Sequence, residues 1–177
     1  VKVFQTLDEA VEWIEDQILG ESPVKAAELP PLEIYELEIF KDCKEDTLIT
    51  LAESLERRSV AKDEKVFALG DPGDQLYLIR KGAVRITWPE SGAKTAYHTL
   101  TYGRGDFFGG VSFISGISRM NDATATEDTE LFVMRREVFD RLREDHKRLA
   151  FHLLEAIAKI LASRLRYADK ELMAIQE

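Results

Sequence analysis

The spacing of apolar residues changes twice along the chain and divides it into three zones. The first zone opens with a short β-like stretch at residues 1–4, followed by a capping box at residues 6–9 (TLDE). An amphipathic helix ending near Gly20 is predicted by apolar residues that recur every three or four positions, namely Leu7, Ala10, Val11, Ile14 and Ile18. Residues 21–31 contain Pro23, Pro30 and Pro31 and are typical of a linker.

The second zone, residues 32–138, begins with helical spacing and then changes to the period of strands. Apolar residues at helical spacing run from Ile34 to Leu55, and the pair Arg57 and Arg58 suits a helix C-terminus. Strands are predicted at residues 65–69, 76–79, 83–88, 95–100, 123–125 and 131–134. Turn signals separate them at residues 70–74 (GDPGD), 81–82 (KG) and 89–92 (PESG), and Gly82 fits a hairpin turn that requires a positive φ. Many short strands at this spacing predict an antiparallel barrel or sandwich.

The third zone returns to helical spacing. Val138, Phe139 and Leu142 predict one short helix, and a long helix is predicted from His146 to Leu172. A helix of that length spans about 40 Å, which exceeds the face of a small barrel. We therefore expect part of it to meet another chain or domain, and a homodimer through this helix is one form of that expectation.

The composition of the chain argues against membrane-spanning, disulfide-bonded and nucleic-acid-binding proteins. The chain is 45% hydrophobic and 32% charged, its longest apolar runs are too short to span a bilayer, and its single cysteine, Cys43, has no partner for an internal disulfide. These features favour a cytoplasmic protein without direct membrane insertion. Residues 1–56 hold 15 acidic and 4 basic residues, whereas the remainder holds 18 acidic and 20 basic residues, so no basic stripe indicates a nucleic-acid partner. The chain begins at Val1 without a secretory leader, and we expect it to be a segment of a longer protein.

No enzyme motif is complete. The glycines of residues 103–109 have the wrong spacing for a dinucleotide fingerprint, and Ile114 stands where a nucleophile elbow needs glycine. The three histidines, His98, His146 and His152, lack metal-ligand spacing. We therefore expect no catalytic residues and no metal site.

The most informative stretch is glycine-rich, at residues 105–114 (GDFFGGVSFI), followed by Arg119. A glycine pair that opens a short helix exposes several backbone N–H groups in one direction, and an arginine nearby can add a bidentate guanidinium. This pattern predicts a cradle for a small anion. The alternative interpretation is a tight turn followed by an unrelated surface arginine.

The run from about Phe40 to Leu165 resembles the cyclic-nucleotide-binding domain family, which includes the catabolite activator protein and kinase regulatory subunits. The matching motifs are residues 70–74, 76–79, 81–84 and 105–109, then Arg119, Ala125, residues 131–135 and residues 139–142. The resemblance implies an α+β, mainly β, fold: an eight-stranded antiparallel β-roll or jelly roll with flanking helices and a long C-terminal helix. It also implies a phosphate-binding cassette, with cyclic AMP or cyclic GMP as candidate ligands. The candidate ligand residues are Phe108, Gly109, Gly110, Val111, Ser112, Arg119, Met120, Asn121 and Asp122.

Two positions depart from the family pattern. Gly110 stands where the family usually has a glutamate that binds the ribose 2′-hydroxyl, and Asp122 stands where it usually has a serine or threonine that binds the cyclic phosphate. Loss of the ribose contact removes a charge-assisted hydrogen bond of about 1.5–3 kcal/mol. An ionised Asp122 repels a phosphate, or pairs with Arg119 and fills the site. The cassette is therefore degenerate, and its ligand is a cyclic nucleotide, another small anion or nothing.

A second resemblance covers the first residues. Residues 3–16 resemble the last strand and helix of the STAS domain, which precedes a cyclic-nucleotide-binding domain in some SulP-type anion permeases. This predicts a preceding-domain remnant at residues 1–20, a linker at 21–31 and the nucleotide-binding-like domain at 32–177. The preferred hypothesis is a non-catalytic cytoplasmic regulatory module of a sulfate or other anion transporter. A ligand-free interaction or dimerisation scaffold and a fragment of a catabolite-activator-type transcription regulator are the alternatives.

Overall fold

The computed structural model describes residues 29–41, 43–89 and 97–175. The chain divides into two compact units, Val1–Pro30 and Pro31–Glu177, and nearly all of the described residues belong to the second. The strand and helix predicted in residues 1–20, most of the predicted linker and most of the turn at 89–92 lie outside the described residues.

The described part of the second unit contains eight β-strands in two antiparallel sheets, as the resemblance to the family implied. The strand pattern alone had not predicted β1 and β6. The strands are β1 (Glu56–Val60), β2 (Lys65–Phe67), β3 (Gln75–Lys81), β4 (Val84–Pro89), β5 (Tyr97–Tyr102), β6 (Phe107–Phe108), β7 (Asp122–Ala125) and β8 (Thr129–Arg135). One sheet has the order β1-β8-β3-β6 and the other β2-β7-β4-β5. Apart from β4 and β5, which pair with each other, strands that follow one another along the chain fall in different sheets, so the sheets form a roll rather than a series of hairpins.

Helices flank the roll. Two short 3₁₀ turns, Ile34–Glu36 and Glu38–Phe40, precede α1 (Glu45–Ser54); α2 (Gly110–Ser115) follows β6; α3 (Arg136–Asp145) and α4 (Lys147–Ile175) follow β8. The predicted short and long C-terminal helices are confirmed, and the 29 residues of α4 span about 43 Å. None of the described helices is apolar over enough of its length to cross a bilayer.

Two local predictions were wrong. Arg57 and Arg58 lie in β1 instead of at a helix C-terminus, because α1 ends at Ser54 and Leu55 is already extended. Gly82 has the predicted positive φ of 87°, but it does not close a hairpin, because β3 and β4 belong to different sheets. Gly82 instead turns the chain from one sheet to the other.

The strand β3 lies between the two hydrophobic clusters of the fold. Leu76 and Leu78 face the helices, while Tyr77 and Ile79 face the interior of the roll. Side chains on a strand alternate between its faces, so a strand buried on both faces shows an unbroken apolar run. This explains why residues 76–79 are continuously apolar.

A buried arginine fastens the residues after the proline-rich segment to β3. The backbone N–H of Leu32 donates to the Arg80 carbonyl at 3.0 Å, and the Arg80 Nε donates back to the Leu32 carbonyl at 2.9 Å. The other guanidinium nitrogens donate to Glu33 at 3.0 Å and to Glu130 at 3.1 Å, and the group lies 4.6 Å from the Phe132 ring centroid. The Arg80 side chain is only 6% exposed. We call this cluster the Arg80 clasp.

Candidate functional site

The glycine-rich turn holds the start of α2 against β3. Phe108 pairs with Tyr77 across β6 and β3, and the two rings stack with centroids 4.9 Å apart. Gly109 then adopts a left-handed conformation with φ 79°, which favours glycine, and Gly110 begins α2. A Cβ at Gly109 would also lie 2.7 Å from an Arg119 nitrogen. Glycine at 109 therefore allows the guanidinium to approach the turn.

Arg119 is buried, with 3% of its surface exposed. Its Nη1 donates to the Gly109 carbonyl at 2.9 Å, and its Nη2 donates to the Gln75 carbonyl at 2.6 Å. The guanidinium lies 4.3 Å from the Phe67 ring centroid and 5.5 Å from that of Tyr77. Cation–π contacts and charged hydrogen bonds of this kind fix its position.

The turn at residues 70–74 holds the backbone of Arg119 in place. The Arg119 N–H donates to the Asp71 carbonyl at 2.8 Å, and the Gly70 N–H donates to the Arg119 carbonyl at 2.9 Å. At Gly73, an added Cβ would collide with the Ile117 carbonyl and lie 2.6 Å from the Ser112 Cβ. The GDPGD motif therefore packs directly against the segment that carries the arginine.

Arg119 forms no ion pair with a described residue, although the carboxylates of Asp71 and Asp74 act on it from a longer distance. Among the described residues no carboxylate lies within 4.0 Å of its guanidinium, and its Nε–H has no hydrogen-bond partner there. Burial lowers the pKa of Arg119 from its ordinary value. A buried cation without an ion pair costs free energy, because the protein interior solvates charge poorly. An anion beside Arg119 would offset that cost.

Arg119 lines a cavity of about 120 Å³. Eight of the nine predicted ligand residues line it: Phe108, Gly109, Gly110, Val111, Ser112, Arg119, Met120 and Asn121. The sequence analysis missed five further lining residues, which are Phe67, Ile86, Trp88, Tyr102 and Leu161. Four of these come from strands β2, β4 and β5, where the alternation of inward and outward positions was the available signal, and Leu161 comes from α4.

Asp122 does not line the cavity and does not pair with Arg119, so the predicted pairing was wrong. Its carboxylate accepts a hydrogen bond from the Leu69 N–H at 2.7 Å and lies 2.9 Å from the Lys65 Nζ. These two contacts lower the pKa of Asp122, with the Leu69 hydrogen bond contributing most. The strand β7 begins at Asp122. The Asp122 side chain links β7 to the end of the loop after β2 through its hydrogen bond with Leu69.

Gly110 is buried among apolar groups. A Cβ at this position would lie 3.2 Å from a Phe107 ring carbon, 3.6 Å from an Ile157 methyl and 3.7 Å from a Leu76 methyl. A longer, charged side chain would therefore meet hydrocarbon on this side.

The other polar groups of α2 add little to the site. The Ser112 hydroxyl already donates a hydrogen bond to the Ser118 carbonyl at 3.2 Å. Because α2 has only six residues, its dipole is small, and Arg119 is the main positive group of the site.

The long helix α4 reaches the site at two successive turns. Ile157 packs behind Gly110, and Leu161 lines the cavity. One turn further on, Leu165 is 63% exposed. The apolar stripe of α4 therefore passes over the site and continues beyond the part of the roll that buries it.

A family model, a solved structure and a curated relative all match this chain over the roll. The model of the family described as "Cyclic nucleotide-binding domain" matches residues 57–146. The crystal structure of the Thermus thermophilus catabolite activator protein superposes with a TM-score of 0.67 and 32% identity, over 78% of this chain and 62% of that one. The CRP-like cAMP-activated global transcriptional regulator of Mycobacterium tuberculosis is 28% identical over 76% of this chain and 58% of its own length.

Another relative matches over nearly the whole chain. Glutaminase 1 of Bradyrhizobium diazoefficiens is 31% identical over 169 residues, which is 96% of this chain but 27% of the relative. The alignment therefore extends into residues 1–30, before the β-roll begins. The chain spans about a quarter of the length of this glutaminase and somewhat more than half of the transcriptional regulator.

Proposed function

The chain belongs to the cyclic nucleotide-binding domain family, and on that premise we propose that it is a non-catalytic regulatory module of a larger protein. A small anion binds at Arg119, in the cavity between the roll and α4. Occupancy changes the packing of α4 and so controls the rest of the protein. Cyclic AMP and cyclic GMP are the first ligands to test.

The observation that carries this proposal is that Arg119 is buried without an ion pair among the described residues. The residue is 3% exposed, lines a cavity and has a guanidinium N–H without a partner among the described residues. An arginine kept only for packing is usually paired with a carboxylate, as Arg80 is with Glu33 and Glu130. An anionic ligand supplies the direct ion pair that Arg119 lacks.

The contacts of α4 with the site explain how a bound ligand would change the position of this helix. Ile157 touches the position that opens α2, and Leu161 lines the cavity itself. A ligand that enters or enlarges the cavity must therefore move this part of α4 away from the cavity or draw it closer. A bound state that differs in these contacts shifts the population of helix positions.

The parent protein is a separate part of the proposal. The resemblance of residues 3–16 to a STAS domain favours an anion transporter. The alignment with Glutaminase 1, which covers 96% of the chain at 31% identity, favours a glutaminase as the parent enzyme. We prefer the glutaminase, because its alignment includes the residues before the roll as well as the roll. The sequence of the parent reading frame decides between them: membrane-spanning segments would favour the transporter.

Two other functions predict different behaviour. A ligand-free scaffold would bind no anion at Arg119 and would use α4 as a contact surface. The similarity to the Mycobacterium tuberculosis regulator supports a third possibility, a fragment of a transcription regulator, which predicts a DNA-binding domain elsewhere in the parent protein. Both leave the assignment of the family unchanged.

Calorimetric titration tests the proposal. Cyclic AMP, cyclic GMP, inorganic phosphate and benzoate are titrated into the 177-residue chain, into Arg119→Met and into Arg135→Ala. Arg135→Ala is the matched control, because it removes an exposed guanidinium at the end of β8. We expect at least one anion to bind, with affinity reduced tenfold or more in Arg119→Met and unchanged in Arg135→Ala. Binding that is equal in both variants, or no binding by any anion, would refute the assigned site and leave the scaffold.

A further inference from the structure

The cavity at Arg119 is small and largely apolar. Its volume is about 120 Å³, close to the roughly 150 Å³ that accommodates benzene in an apolar protein cavity. Pockets for larger ligands usually exceed about 300 Å³. The cavity as it stands therefore encloses no more than a single ring or a branched aliphatic group, and part of a cyclic purine nucleotide would remain outside it.

The walls of the cavity also distinguish between ligands. Apolar and aromatic side chains form most of the lining, among them Phe67, Ile86, Trp88 and Leu161. Arg119 is the one cationic side chain among the described lining residues. This combination favours one negative charge attached to an apolar body, because a second charge or several hydroxyl groups would lie mostly against apolar side chains, with few polar groups such as Asn121 nearby.

Hydrocarbon fills the side of Gly110 toward which a side chain would point. A Cβ there would meet Phe107, Ile157 and Leu76, although Gly110 itself lines the cavity. A sugar hydroxyl on this side would lose its hydrogen bonds to water without gaining an acceptor, and a site that cannot pair a polar group rejects it.

We propose that the cavity selects a compact organic monoanion, a carboxylate on a single aromatic ring or a branched aliphatic body, with the apolar part enclosed and the carboxylate at Arg119. The carboxylate pairs with Arg119, whose planar guanidinium matches a carboxylate in geometry. The apolar body packs against Phe67, Trp88 and Leu161. This inference rests on the proposed function, because it names the ligand class of the same site.

The test compares probes that differ in one property. Benzoate carries the charge and the ring, benzamide keeps the ring without the charge, inorganic phosphate keeps charge without an apolar body, and cyclic AMP is the family ligand. Calorimetry measures each affinity. The Trp13→Phe variant leaves Trp88 as the only tryptophan. Because Trp88 lines the cavity, a change in its fluorescence reports that a probe has entered. We expect benzoate to bind at least tenfold more tightly than the other three probes and to change the Trp88 emission.

Two variants locate the binding. Leu161→Trp fills the cavity while keeping Arg119, and we expect it to reduce benzoate affinity at least tenfold. Leu165→Trp is the matched control one turn along α4, where the side chain is 63% exposed, and we expect no change. Because Leu161→Trp retains the buried charge, it keeps the test informative even where Arg119→Met folds poorly.

The outcomes separate this inference from the proposed function. Arg119-dependent binding of cyclic AMP with weak or absent benzoate binding would overturn the inference and leave the regulatory function standing. Phosphate or benzamide binding as tightly as benzoate would overturn it as well, because charge or ring alone would then be sufficient. No binding by any probe would overturn both.

Discussion

Replacing Arg80 with alanine removes the guanidinium that forms the Arg80 clasp. The side chain is 6% exposed and donates to the Leu32 carbonyl, Glu33 and Glu130 at 2.9, 3.0 and 3.1 Å. Breaking a buried ion pair by removing one partner typically costs about 3–5 kcal/mol. Glu33 and Glu130 are 39% and 38% exposed, so they regain water in the variant, and we expect the lower end, about 3 kcal/mol.

The assay is thermal unfolding of the full chain, monitored by circular dichroism, with Arg135→Ala as the matched control. Arg135 forms a close ion pair with Glu56, but its side chain is 52% exposed. For a unit of about 150 residues, 3 kcal/mol lowers the Tm by roughly 6–12 °C. An exposed pair contributes little to stability, so Arg135→Ala should change the Tm far less. Equal shifts in the two variants would refute the argument that burial gives the Arg80 clasp its strength.

Three other substitutions test details of the site. Gly73→Ala should cost about 2 kcal/mol or more, because its Cβ would overlap the Ile117 carbonyl, whereas Gly103→Ala, with open space around it, should leave the urea midpoint nearly unchanged. Gly110→Glu should lower the Tm and fail to create cyclic AMP binding, because the carboxylate would be buried against hydrocarbon. Asp122→Asn should destabilise the chain above about pH 4, where the unfolded carboxyl is ionised, and this difference should disappear as the pH falls through the lower folded pKa.

Each of these predictions has a contrary outcome. Equal urea midpoints for Gly73→Ala and Gly103→Ala would mean that the turn at 70–74 can move away from Ile117. Cyclic AMP binding gained by Gly110→Glu would mean that the neighbouring apolar groups yield to the carboxylate. A stability difference for Asp122→Asn that persists at about pH 2 would mean that the hydrogen bond to Leu69, and not the charge, carries the effect.

The strand pattern predicted an antiparallel barrel or sandwich, because the strands are short, apolar and separated by turn residues, and local patterns of this kind are visible without tertiary contacts. The eight-stranded roll was implied by the resemblance to the family. The strand pattern did not predict the order of strands in each sheet. Gly82 has the backbone conformation of a hairpin turn, and only long-range pairing of β3 with β8 and β6 reveals that it connects two sheets. For the same reason Arg57 and Arg58 were assigned to a helix end, although they pair with Phe132 and Leu131 in β8.

The candidate site was predicted in part. Residues 108–112 and 119–121 are close in sequence and carry a recognisable motif, and they line the cavity together. Trp88 and Leu161 are distant in sequence from that motif and enter the cavity only because the roll closes and α4 crosses it. The partner of Asp122 was also out of reach of the sequence, since Lys65 lies on another strand.

The position of β3 has a mechanical consequence for the whole module. The same seven-residue strand supplies the Gln75 carbonyl and the Tyr77 ring to Arg119 at one end and carries Arg80 at the other. If an anion binds at Arg119 as proposed, its effect can therefore also reach Leu32 along β3, without involving α4. On that proposal, a shortened C-terminal helix would remove the effect on α4 and leave the effect on Leu32.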